Sequence, residues 1–325
     1  MPVMPYHFFR PSSYNTTDYL FASTSVLNDT SFGLLNSSDF FVYDRAQGLP
    51  LLGDNPTCEK MFEDQVTMAV HEAPLVVDLN QDPPTLSEFE SDPPVHAPNG
   101  GTCHGGLVYW GAGGGNNSIG GTEQRPGIRV LDPTSNKTTT LLNNYFGFYF
   151  NGLDNLFVDS HGDIWFTDPD YAWNGNRTDT TPQLLAQTYR FRPSTGQLWV
   201  VEDSLGQPNG IVISPDAKNT GKHTVYKYDI SDADTAPALI NKRPFYYAQE
   251  WVPDGLKVAA NGFVVAGVGM GVDVIDRTGS LVLQIRTDYI VQNFAWVGED
   301  LTEFWLMGQG GISRVRWNLK GQELK

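Results

Sequence analysis

The feature that most constrains this chain is a short polar head that recurs in front of strand-like runs. Pro98-Asn99-Gly100, Leu153-Asp154-Asn155, Pro208-Asn209-Gly210 and Pro253-Asp254-Gly255 each lead into a β-rich stretch, and a weaker head, Gln292-Asn293-Phe294, follows. The clearest case lies between Asn151 and Pro169. There, strand-like runs at 156–158 and 164–167 flank a polar turn at 160–163, with Asp154 and Asn155 just ahead of the first. Asn99 to Asp154 and Asp154 to Asn209 each span 55 residues, Asn209 to Asp254 spans 45, and Asp254 to Asn293 spans 39. Repeats of about 40–50 residues holding several short strands are the signature of propeller blades, whose sheets bury their faces against their neighbours. In such a ring the first strand of every sheet lines a central channel. Heads far apart in sequence are therefore expected to converge. An open sandwich built on the same Pro and Gly turns is the alternative.

A chain of 325 residues is long for one domain, and a propeller is an architecture that runs to this length. The 33 glycines, 21 prolines and 12% aromatics suit many turns between packed strands. A net charge of −16 without a basic stripe argues against a nucleic-acid partner. No apolar run of about 20 residues is present, so no membrane span is expected. The first ten residues lack a basic leader followed by an apolar core, so they do not read as a signal peptide. Glycosylation sequons at Asn15, Asn28, Asn36, Asn116, Asn136 and Asn176 point the other way, and secreted and cytoplasmic locations both stand. Nothing in the sequence fixes an oligomeric state. Cys58 and Cys103 lack metal-ligand spacing and read as buried thiols.

In chain order, residues 1–40 are rich in Ser, Thr and Asn and read as an irregular arm, with the β domain occupying 41–325. Phe40 to Tyr43 looks like a strand. The Pro- and acid-rich stretch 78–94 stands where a pair of strands is expected, and 217–223 is too polar to read as one, so two sheets are expected to be short. The glycine-rich loop 111–121 has no helix behind it, which excludes a dinucleotide phosphate cradle. Four strands follow Asp254, and a last set runs from Phe294 to Trp317.

If the ring closes, Glu72, Asp154, Asn209 and Asp254 project into one channel mouth. This set offers only oxygen, which suits Ca²⁺; Mg²⁺, Mn²⁺ or Zn²⁺ with water are alternatives. A cation open to solvent polarises a carbonyl and lowers the pKa of water, so ester or lactone hydrolysis is the natural use. Asp254 or Asp154 would take the proton from water, with His71 or His104 as a helper. The competing explanation is that these pairs only make turns. His7, His96, His161 and His223 read as structural, and the aromatics at 145–150 as packing between sheets or a rim over the channel.

The hairpin Asn151 to Pro169, Gln-Pro-Asn-Gly-Ile-Val-Ile-Ser-Pro-Asp at 207–216 and Val-Pro-Asp-Gly-Leu-Lys-Val at 252–258 resemble the gluconolactonase, senescence-marker-protein and luciferin-regenerating-enzyme family. The runs Thr138 to Gly147 and His71-Glu-Ala-Pro74 are similar to its fungal lactonohydrolase branch. The resemblance covers residue 40 to the C-terminus and implies a six-bladed β-propeller, here with two shortened blades. It implies Glu72, Asn209 and Asp254 as metal ligands and Asp254 as the acid–base residue in lactone opening. The family's Asn-Asp pair is reversed here as Asp154-Asn155, which would let Asp154 ligate the metal directly. The function expected is metal-dependent, Ca²⁺-type hydrolysis of a small sugar-type or related lactone. A non-catalytic propeller that binds metal or a small ligand is the alternative, while a strictosidine synthase-like enzyme leaves the ligand set unexplained.

Overall fold

The computed structural model describes residues 1–6, 29–35, 37–63, 75–115, 125–213, 217–221, 223–231, 238–249 and 251–323. The strands form an all-β propeller arrangement of consecutive antiparallel meanders. The Asn99 sheet runs Pro98–His104, Leu107–Ala112, Gly127–Asp132 and Lys137–Leu142. The Asp154 sheet runs Leu156–Val158, Ile164–Asp168, Gln187–Arg192 and Gln197–Glu202, and the Asn209 sheet Pro208–Ile213, Ala217–Gly221, Thr224–Ser231 and Ala238–Tyr247. The Asp254 sheet runs Leu256–Val258, Val264–Gly267, Gly271–Ile275 and Leu281–Arg286, with Phe40–Val42 added as a fifth, outermost strand.

The last large sheet takes three strands from the end of the chain, Ile290–Val297, Glu303–Gln309 and Gly311–Arg316, and its outer strand, Thr57–Glu63, from near the beginning. Thr57 pairs with Arg316 and Glu63 with Gly311, so backbone hydrogen bonds tie the two ends of the fold together. Between that strand and the Asn99 sheet, Leu75–Asp78 and Thr85–Glu88 form a two-stranded ladder.

Two expectations of missing strands need correction. Ala217–Gly221 is a full strand, hydrogen-bonded on one side to Pro208–Ile213 and on the other to Thr224–Ser231. A central strand is held by its backbone ladder on both edges, and that ladder does not require the apolar side chains by which strands are found in a sequence. The Asn209 sheet is therefore not shortened. In the 78–94 stretch, Thr85–Glu88 supplies one strand of the expected pair.

The Asp254 sheet is packed on both faces. Val265, Val272 and Val274 belong to one buried cluster with Phe294 and Phe304 of the following sheet. Val264, Ala266 and Ile275 point the other way into a cluster with Val212, Val225 and Tyr246 of the preceding one. Alternation with period two thus fills both inter-sheet layers, and each buried Val or Ile contributes about 1.5–3 kcal/mol. The expectation of buried thiols fails for Cys103, which is exposed; Cys58 is half-buried, and both are free. Cys103 sits on a strand that borders an open cavity rather than a packed layer. No helix among the described residues is long and apolar enough to cross a membrane.

Candidate functional site

The heads meet because glycine lets them. Gly100 N donates to Asp154 O at 2.7 Å, and a Cβ on Gly100 would lie 2.8 Å from that oxygen. A Cβ on Gly210 would lie 2.1 Å from Asp254 O, and one on Gly255 would lie 2.8 Å from Gln292 O. Gly255 N closes the same contact by donating to Gln292 O at 2.8 Å. Each head therefore rests its backbone on the next, an approach that side chains of any size would block. Where Asn155 takes the glycine's place, Thr167 makes the link: its hydroxyl donates to Asn209 O at 2.8 Å and accepts from Asn155 N at 3.1 Å.

Second strands pin the carboxylates. Asp154 N donates to Thr167 O at 3.1 Å, and Asp254 N donates to Gly267 O at 2.9 Å. The turn before Asp154 wraps around the buried Asp168 carboxylate, which accepts from Asn151 N at 3.1 Å and Gly152 N at 2.9 Å. Burial pushes Asp168 up to about 7, although those two hydrogen bonds pull it down.

Asp154 and Asp254 lie close enough for their charges to act on one another, and Tyr171 feels both while bonding to Asn209. Asp154 is buried and held well above the usual carboxylate range, first by desolvation and then by the charge of Asp254; Arg177 and the Asn99 amide pull the other way. Asn99 Nδ2 donates to Asp154 Oδ2 at 3.3 Å. The Tyr171 hydroxyl is held above its ordinary value by burial, with the charges of Asp154 and Asp254 adding to it, while a hydrogen bond from Asn209 opposes them. Asp254 is half-buried, so it stands at the reachable side of the pair.

Glu72 and His71 lie outside the described residues. His104 ends the strand that Asn99 begins, five residues or about 16 Å further along, with its ring 6.5 Å from Tyr109. It is not a helper at the heads, a correction that follows from the direction of the inner strand. Tyr171 and Arg177 were missed in the sequence because they lie on and after a short helix, Tyr171–Asn174, with no repeat to mark them. Their only signal was position, directly after the strand that pairs with the Asp154 head. Of the aromatics at 145–150, Phe150 packs against Phe166 and Tyr189, while Phe146 is exposed.

Among the described residues no group of three or more His, Cys, Asp or Glu could hold a metal ion. The head ring brings two acids and amide oxygens. Asp154 Oδ1 and Asn209 Oδ1 are buried without a hydrogen-bond partner, a state that costs about 1–3 kcal/mol for each group. Two mutually repelling carboxylates and orphaned oxygens fit a hard, oxygen-binding dication and do not fit a thiolate- or imidazole-loving one.

Residues 107–308 match the family model described as the SMP-30/gluconolactonase/LRE-like region. The chain is 37% identical to lactonohydrolase oryL of Aspergillus oryzae, over 93% of this chain and 79% of that protein. It is 31% identical to lactonohydrolase oryH of the same organism, over 99% and 90%. A gluconolactonase from Xanthomonas campestris superposes with a TM-score of 0.72 at 21% identity, covering 87% of this chain and 96% of that one. The calcium-binding protein regucalcin from Agrobacterium tumefaciens gives 0.61 at 12% identity, covering 82% and 95%. With the converging heads, these matches establish that the chain belongs to the SMP-30/gluconolactonase/LRE-like family.

Proposed function

We propose that the chain is a lactonase, which opens a small sugar-type or related lactone at the ring of heads inside a six-bladed propeller. Asp154, Asn209 and Asp254, together with Glu72, would hold a divalent cation of the Ca²⁺ type. The observation that carries this reading is the meeting of Asp154 with Asp254 beside the orphaned Asn209 oxygen, in a chain 37% identical to a lactonohydrolase. Two acids forced together in a desolvated site destabilise one another, and a dication turns that repulsion into attraction.

Bound there, the cation would supply a Lewis acid for the ring carbonyl oxygen. The half-buried Asp254 accepts a proton from water as the water oxygen bonds to the carbonyl carbon. It returns that proton to the ring oxygen when the ring C–O bond breaks, leaving a hydroxy acid. The Tyr171 hydroxyl, kept protonated by its surroundings, donates to Gln207 O at 3.5 Å and would exchange that distant partner for a substrate oxygen. Arg177 offsets part of the acid charge at Asp154. His71, next to Glu72 in sequence, is a second proton carrier in this scheme. The alternative of a propeller that binds but does not turn over drew its force from two shortened sheets, and the Asn209 sheet is complete.

Calorimetric titration with Ca²⁺ tests the site. One ion per chain is expected, with affinity falling at least about tenfold in Asp154→Asn and in Asp254→Asn. Binding unchanged in both variants would refute the assignment.

A further inference from the structure

Beyond the heads, the inner strands of all five large sheets contribute to the wall of a cavity of about 860 Å³. The wall is largely apolar, with Val108, Trp110, Phe157, Val212, Val258 and Trp296 among its residues, and none of Asp154, Asn209 and Asp254 borders it. Its volume lies within the about 300–1,000 Å³ of small-molecule sites. Two acids border the cavity, Glu299 and Glu323, and both are exposed. Glu299 follows the inner strand Ile290–Val297, so it stands at the end away from the heads. Gly321 N donates to Leu301 O at 2.9 Å, which brings the C-terminal residues to the same end.

The chemistry nearer the heads is of the opposite sign. Among the described residues Lys257 is the one cation on the wall. A Cβ on Gly255 would lie 3.2 Å from Asn293 Cα, and side chains two apart share a face of a strand. Lys257 is therefore directed to the side where Asn293 and Ala295 border the cavity. Its charge is felt across the channel: the Cys103 thiol, raised by burial, is pulled down by Lys257, although the Asp154 and Asn209 sheets stand between their two strands in chain order.

Asn293 is 8% exposed and its orientation is set, because Oδ1 accepts from Phe294 N at 2.9 Å and only the NH2 group remains. That nitrogen is not sealed in and donates to no described residue. The Asn155 carboxamide, 6% exposed and on the same wall, is likewise open and makes no side-chain hydrogen bond to a described residue. An ammonium and amide N–H groups on an otherwise apolar wall favour an acceptor that carries charge, since opposite charges attract more strongly where water is scarce. One cation balances one negative charge, which selects a carboxylate over a phosphate.

We propose that this chamber is a second binding site, for a monocarboxylate with an apolar body, its carboxylate paired with Lys257 Nζ and accepting from Asn293 Nδ2, its body along the apolar wall. The site is distinct from the acids of the heads and does not rest on the lactonase reading.

Octanoate is the probe, with 1-octanol as the uncharged molecule of the same body. Calorimetric titration of the full chain is expected to give one octanoate per chain with a Kd below about 1 mM, and binding of 1-octanol at least about tenfold weaker. Lys257→Met keeps the stem and removes the charge; it should weaken octanoate at least about tenfold and leave 1-octanol unchanged. Asn293→Asp keeps the oxygen that accepts from Phe294 N and puts a negative charge where the donor was, so it should also weaken octanoate at least about tenfold. Cys103 reports the place, since its thiol is free, exposed and part of the wall. Octanoate should slow its labelling by N-phenylmaleimide saturably, with no change at Cys58, which is not part of that wall. Octanoate held by a cation at the heads would survive Lys257→Met and leave Cys103 unprotected, and that result overturns the site. Absence of octanoate binding, or 1-octanol binding as tightly, overturns it too, and wild-type affinity in Asn293→Asp overturns the role of Asn293. If Lys257→Met fails to fold, the comparison of octanoate with 1-octanol and the Cys103 labelling in the wild type decide.

Discussion

Gly210→Ala is the sharpest probe of how the heads are held. The added Cβ would lie 2.1 Å from Asp254 O and 3.2 Å from Leu256 Cγ. Ordinary van der Waals contact for a Cβ begins at 3.4 Å, so the two heads must separate by more than about 1 Å. Gly210 is not at a positive φ, so the alanine brings no backbone strain of its own and the effect is purely one of crowding. Overpacking of this kind costs about 1–3 kcal/mol of stability. The displaced residue is the proposed acid–base group, and misplacing a reacting group by about 1 Å costs about a hundredfold in rate. Thermal unfolding and kcat on a hydrolysed lactone are the measurements, with Gly33→Ala, where a Cβ meets nothing within 4 Å, as the control. A Gly210→Ala protein with wild-type Tm and kcat would refute the close packing of the Asn209 and Asp254 heads.

Other outcomes follow from the same geometry. Asp254→Ala and Glu72→Ala should each abolish lactone hydrolysis and weaken metal binding, while His161→Ala, an exposed turn residue, should change little; retained activity in either acid variant contradicts the site. Asp168 is raised from 3.8 to about 7, so between those values the folded state binds its proton more tightly than the unfolded state does. The stability owed to this group is therefore complete below about pH 4 and lost as pH rises to about 7, a change of a few kcal/mol. Relative to Asp168→Asn, the wild type should lose that much between pH 4 and pH 8 in denaturant unfolding, and parallel profiles would contradict it. Asp163→Ala removes the carboxylate that pairs with the fully buried Arg190 and with Arg192, and should cost about 3–5 kcal/mol in denaturant unfolding while sparing metal binding; a loss below about 1 kcal/mol would mean the buried cation is held by other contacts.

The heads were legible in the sequence because their chemistry is local: Pro, then Asn or Asp, then Gly, at near-regular intervals. Gly100, Gly210 and Gly255 show why the third residue matters, since each faces the backbone of the neighbouring head. What sequence could not show was long-range pairing. Phe40–Val42 and Thr57–Glu63 join sheets whose other strands lie more than two hundred residues away, and no local pattern encodes that partnership. Ala217–Gly221 was missed because polarity was taken for irregularity, although a strand flanked by two others is fixed by its backbone. Asn99 was recognised as a head, but its bond to Asp154 depends on two sheets meeting. Tyr171 and Arg177 reach the acids from outside the repeat. His104 was misjudged because nearness to a head in sequence is distance from it along an extended strand.

The most direct test of the central claim is pH-stat titration of acid release from a panel of small lactones, including gluconolactone and pantoyl lactone, with Ca²⁺ added and with a chelator. The account predicts acid release from at least one lactone that the chelator abolishes and Ca²⁺ restores. Release that persists unchanged in excess chelator would contradict the cation at the heads, and no release from a folded, Ca²⁺-loaded chain would contradict the lactonase itself.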